Sequence, residues 1–181
     1  MQKALIILLI ALISSCATNS DDYVDPPLSF TKFEGDLYEV IFRYAFENNA
    51  SSAQQKADFY SLEVDEQDPE NKFIKRFDDI GKKIYPSSVT QFSCKKGIFT
   101  SEQKGRGLHF EIYNLEFESP TQVKVSWSYS EGCLSSALSD ARLEYKNGVW
   151  VMLESKVIII SSIAPNKFKK RSLGLANASP F

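Results

Sequence analysis

The chain has 181 residues and a formal net charge of −2, the size of one domain. Hydrophobic residues make up 43% and charged residues 24%, which excludes a disordered or low-complexity chain. A pI near 5.5 argues against nucleic acid as a partner, and a single histidine removes most His-based metal and triad chemistry.

The chain opens MQKALIILLIALISSCA. Lys3 supplies a short positive region, and Ala4 to Ile13 is an unbroken apolar run, too short to span a bilayer but suited to a signal-peptide core. Ile13-Ser14-Ser15-Cys16 then resembles the lipobox of bacterial lipoproteins. That resemblance, confined to residues 1–17, implies cleavage before Cys16, a diacylglyceryl thioether on its thiol and acylation of the new amine. Two or more acyl chains anchor firmly where one does so only marginally. Ala17 rather than Asp follows the cysteine, which by the family pattern implies the outer membrane; the expected place of the domain is the periplasmic side, with the cell exterior as the alternative. Loss of Lys3 takes the net charge to −3. The expected organisation is a signal peptide (1–15), a lipidated cysteine and acidic, Pro-ended tether (16–29), one domain (30–165) and a basic tail (166–181).

With Cys16 used for lipid, Cys94 and Cys133 remain, 39 residues apart. Outside the cytoplasm such a pair usually oxidises, and closing that loop should stabilise the fold by roughly 4 kcal/mol. A redox-active or metal-binding pair is the alternative. It lacks Cys-x-x-Cys spacing and a histidine near either residue.

Asp36 and Glu39 suit a helix start, with Phe33, Leu37, Val40, Ile41 and Tyr44 on one face and an end at Asn48-Asn49. Asp58 to Val64 alternates as a half-buried strand. Asp68 with Pro69 predicts the cap and first residue of a short helix through Phe73, Ile74, Phe77 and Ile80, stopped by Gly81. From Val89 the period is two. Val89–Cys94 and Ile98–Thr100 are short strands. Leu108, Phe110 and Ile112 run out of phase with Leu115 and Phe117, so a bulge is expected near Tyr113 or Asn114. Val123 to Tyr129 and Ala141 to Tyr145 alternate cleanly. Asn147-Gly148 is a strong hairpin signal that would pair Tyr145 with Trp150 and Leu143 with Met152. Val157 to Ile160 is apolar throughout, as in a strand covered on both faces; at an open edge it would be an aggregation hazard.

The expected class is α+β, N-terminal helices packed on a curved antiparallel sheet of about five to six strands. This order is similar to the NTF2-like or cystatin-like group; a small lipocalin-like barrel fits two N-terminal helices badly. His109 beside Glu111 could act as a general base, but a histidine on the polar side of a strand is more often a surface residue, and no nucleophile motif accompanies it. Asp65, Glu66, Asp68 and Glu70 lack the glycine and spacing of a calcium loop and fit a solvated turn. Lys82, Lys83, Lys95, Lys96, Lys104 and Arg106, with Lys167, Lys169, Lys170 and Arg171 around Phe168, could meet anionic lipid or an acidic partner, or simply be solvated. Glu131–Ser139 could line a ligand pocket, or Leu134 and Leu138 could pack into the core. The Asn49 and Asn177 glycosylation patterns carry no weight in such a lipoprotein.

Two functions follow. One is a non-enzymatic, membrane-anchored envelope protein, without cofactor, metal or nucleic acid, whose domain binds another envelope protein. The other is an NTF2-like pocket protein that binds or transforms a small apolar ligand with Trp127, Tyr129, Tyr145 and Trp150 near its concave face.

Overall fold

A computed structural model describes residues 26–51, 54–100, 105–132 and 135–161. The leader, Cys16, most of the tether and the basic tail lie outside them. The elements are α1 (Lys32–Asn48), β1 (Phe59–Val64), α2 (Asn71–Ile74, continued by a 3-10 segment Lys75–Ile80) and β2 (Lys83–Pro86). β3 (Thr90–Ser93), β4 (Gly97–Thr100), β5 (Gly107–Ser119), β6 (Gln122–Gly132), β7 (Ser135–Lys146) and β8 (Val149–Ser161) follow.

The α+β class is as expected, but the sheet has eight strands rather than five or six. Its order is β2-β1-β5-β6-β7-β8, with the β3–β4 hairpin attached to β5. Nor is it wholly antiparallel, because β1 pairs in parallel with both β2 and β5. β2 escapes a periodicity reading because Lys83-Ile84-Tyr85-Pro86 is short and ends in proline, which marks an edge or a break.

Helix α1 starts one turn before the expected site. Thr31 Oγ1 accepts from the Glu34 amide at 3.3 Å and Glu34 Oε2 accepts from the Thr31 amide at 2.9 Å, a complete capping box. Those bonds hold the Glu34 carboxyl below its ordinary pKa. Asp36, read as the cap, instead accepts from Arg76 Nη1 at 2.7 Å. Glu39 bonds both Arg43 and Arg76, and Arg43 reaches Asp79, so charged side chains join α1 to the 3-10 segment. The second helix likewise starts after Glu70, without a side-chain cap. Asp68 accepts from the Ser88 amide at 3.0 Å, and its carbonyl and the Glu70 amide bond the backbone of Leu28. The αL cap at Gly81 (φ 73°) is as read.

One sheet face carries Tyr60, Leu62 and Val64 from β1, Leu108, Phe110 and Ile112 from β5, and Val125, Trp127 and Tyr129 from β6. It buries these against Leu37, Ile41, Phe42 and Phe46 of α1 and Phe73 and Phe77 beyond it. Phe46 stacks on Tyr60 at 4.8 Å and meets Phe110 edge-on at 5.0 Å. Such ring pairs add about 0.5–1.5 kcal/mol each beyond the area they bury. The bulge falls where expected, between Tyr113 and Glu116 with Asn114 at φ 53°. The Asn147-Gly148 turn pairs Tyr145 with Trp150 and Leu143 with Met152, also as expected.

β1 corrects the half-buried reading. All six of its residues are buried, because β2 and β5 flank it and both faces are covered. Gly107, opposite Phe59, leaves room for that ring: a Cβ there would lie 2.2 Å from Phe59 Cε2.

Candidate functional site

The second sheet face aligns polar side chains. Register places Ser61 beside His109 and Ser130, and Glu63 beside Glu111 and Ser128. All six are buried. Phe92 of the β3–β4 hairpin closes over the row, its ring 5.3 Å from that of His109 and edge-on to it. His109, read as a surface residue, is therefore an interior one, 1% exposed. Ser61 Oγ and His109 Nδ1 share a hydrogen bond of 2.9 Å, and His109 Nε2 lies 3.8 Å from Glu63 Oε2. Serine, histidine and carboxylate are the parts of an activated nucleophile. Here Ser61 is 0% exposed, so the bond works as an interior pin between β1 and β5. Tyr113, further along the row, has its hydroxyl pushed up to about 12 by burial, then by Glu111 and Asp140.

The four aromatics expected near a pocket lie on the helix-facing side. Trp127 is buried, with Tyr44 edge-on at 6.3 Å and its Nε1 donating to Ser155 Oγ at 3.3 Å. Trp150 is buried between Phe33 at 5.0 Å and Tyr145 at 5.3 Å. Tyr129 is buried too, its pKa raised by burial and then by Glu131, and Tyr145 is half-buried. The structure thus brings Tyr145 and Trp150 together and uses all four in packing against or beside α1. An open groove of about 700 Å³ lies elsewhere, between Arg43, Phe46, Gln54, Tyr60, Asp79 and Lys82.

Cys94, in the β3–β4 turn, is disulfide-bonded. Cys133 lies outside the described residues, but Gly132 before it packs on this hairpin: a Cβ on Gly132 would lie 2.9 Å from Gly97 Cα. Asp65 and Glu66 form the tight turn after β1 with φ of 48° and 66°, and Asp68 and Glu70 are spent as described above. Among the described residues no group of three His, Cys, Asp or Glu side chains is placed to hold a metal ion. Lys82 donates to the Ala57 carbonyl and sits over the Tyr60 ring. Lys83, Lys95, Lys96 and Arg106 are exposed, while Lys104 and the tail cations lie outside the described residues. Among the described residues no helix is long and apolar enough to cross a membrane.

The feature that sequence reasoning misplaced is β8. Val157 to Ile160, expected under cover on both faces, form the end of a 13-residue edge strand. Val149, Val151, Leu153, Val157, Ile158, Ile159 and Ile160 are all exposed, Ile160 at 74%. Its inner edge pairs with β7 along its whole length, and its outer edge pairs with no described strand. Solvent-exposed apolar strands at open edges invite pairing, and proteins usually blunt them.

No family model, curated protein or solved structure matches the chain. The likeness to NTF2-like or cystatin-like domains therefore rests on the order of elements alone.

Proposed function

We propose that this chain is a lipid-anchored, non-enzymatic protein of the bacterial cell envelope that works by protein contact, with the edge of β8 as its contact surface. The observation that carries the reading is β8 itself, where apolar side chains are concentrated on an open edge. The burial of Trp127, Tyr129 and Trp150 in the core, with Trp127 and Trp150 against α1, weighs against a pocket for a small apolar ligand. The anchor rests on the Ile13–Cys16 motif. An oxidised Cys94 supports an oxidising compartment, and the close approach of Gly132 to the hairpin supports Cys133 as its partner.

The test places a photo-cross-linking residue at Ile160 in the lipidated protein, with Glu116 on the exposed stretch of β5 as control. A discrete protein adduct from position 160 and none from position 116 is the expected result. Adducts from neither position would overturn the contact reading. Labelled fatty acid incorporated by the wild type and lost in Cys16→Ser checks the anchor separately.

A further inference from the structure

We propose that β8 pairs antiparallel with β8 of a second copy of this chain, about a two-fold axis at Ser155, joining two sheets into one. The proposal rests on the reading of β8 as the contact surface and names its partner.

The strand reads VWVMLESKVIIIS. Two charged residues flank Ser155, and apolar residues lie outside them on both sides. A strand adding to this edge must therefore solve one problem, the placement of Glu154 and Lys156. Pairing centred on Ser155 sets Glu154 against Lys156 of the second copy, and Lys156 against its Glu154. It sets Leu153 against Val157, Met152 against Ile158 and Val151 against Ile159, apolar against apolar throughout. A shift by one residue either way puts Glu154 or Lys156 against an apolar side chain. A shift by two puts Glu154 against Glu154, or Lys156 against Lys156. Parallel in-register pairing lines up like charges. Opposite charges placed directly across a ladder stabilise it and like charges destabilise it, so charge alone selects the Ser155 register.

The existing sheet supports the same alignment. Lys156 lies opposite Asp140 of β7, and Glu154 lies opposite Arg142, whose Nε is 3.7 Å from Glu154 Oε1. Across the junction the row would read Asp140, Lys156, Glu154, Arg142, the last two from the second copy, with charge alternating at every step. Glu154 to Val157 pair with β7 in regular register, and the two β7–β8 irregularities flank this run at Leu153 and Ile158. The Glu154 side chain is 68% exposed, so its charge is available to a neighbour.

The experiment is sedimentation velocity on the full lipidated chain in detergent, over a range of protein concentration, with wild type, E154K, K156E and the double variant E154K/K156E. The wild type should sediment as a dimer. Each single reversal sets like charges opposite twice per junction and should weaken the dimer about tenfold or more in dissociation constant. The double variant restores opposite charges across the junction and should recover the dimer relative to both single variants; its reversed charges against Asp140 and Arg142 of its own β7 lower the melting temperature separately, which a melting curve at low protein concentration reads. A wild type that stays monomeric, single reversals without effect, or a double variant that is not rescued would each overturn the proposal. The adduct from Ile160 separates this failure from that of the contact reading. An adduct of twice the chain mass supports both; an adduct only with a different protein overturns self-pairing and keeps the contact surface; no adduct removes both.

Discussion

β1 and β8 invert the usual relation between polarity and burial. β1 carries a serine and a glutamate yet is buried at every position, whereas β8 carries four consecutive branched apolar residues and leaves them in solvent. Place in the sheet decides the outcome. β1 lies between two parallel neighbours with both faces covered, so its polar side chains must find partners inside, as Ser61 does on His109. β8 is the last described strand in the sheet order, so among the described residues its apolar side chains find cover where α1 reaches them, at Trp150 and in part Met152. A buried polar row with internal partners is a structural device. An exposed apolar edge is open to pairing with another strand.

Substitutions along the two strands should separate these roles. The largest effect is expected at the centre: Phe110→Ala removes a side chain packed against Phe46 and Tyr60 and should cost about 3–5 kcal/mol in chemical denaturation. Ile160→Ala on β8 should stay within about 0.5 kcal/mol. Equal losses at the two sites would break the contrast. Gly107→Ala drives a methyl into the Phe59 ring and should cost about 1–3 kcal/mol by the same measurement. Ser61→Ala leaves the buried His109 Nδ1 without that partner and should also cost about 1–3 kcal/mol.

The smallest effect concerns pH. Burial first, helped by neighbouring carboxylates, pushes Tyr38 and Tyr113 from 10.0 up to about 12. The unfolded chain then gives up these protons first as pH rises. Their contribution to stability is complete below pH 10 and is lost as pH climbs from 10 to about 12. Melting temperature should fall across that window in step with phenolate absorbance. Because neither tyrosine lies on β8, Ile160→Ala should show the same alkaline profile; a displaced one would mean that the edge and the interior are coupled.

Much of the fold was legible in local signals. The Asn147-Gly148 hairpin, the bulge at Asn114 and the stop at Gly81 each follow from a residue that tolerates positive φ where the chain must turn. Less legible were features set by distant partners. Asp36 looks like a cap, but Arg76, forty residues on, takes its carboxylate, while Thr31 and Glu34 form the box. His109 reads as a surface residue because alternation puts it opposite Leu108 and Phe110, and periodicity carries no sign that the Thr90–Thr100 hairpin will close over that face. The continuous apolar run at Val157–Ile160 fits a central strand as well as an edge awaiting a partner, and only sheet order separates them. Of the candidate site, Trp127, Tyr129, Tyr145 and Trp150 were legible as one aromatic group but read toward a pocket, because alternation shows which residues share a face and not what packs on it. The exposed apolar edge was visible only as a hazard.

The most direct test of β8 as an occupied edge is amide hydrogen exchange on the lipidated chain, read at the β8 amides that point away from β7. An occupied edge predicts that these amides exchange slowly in the wild type and rapidly in E154K, while the amides bonded to β7 stay slow in both. Rapid exchange of the outward amides in the wild type, at rates matching E154K at every protein concentration, would contradict the account.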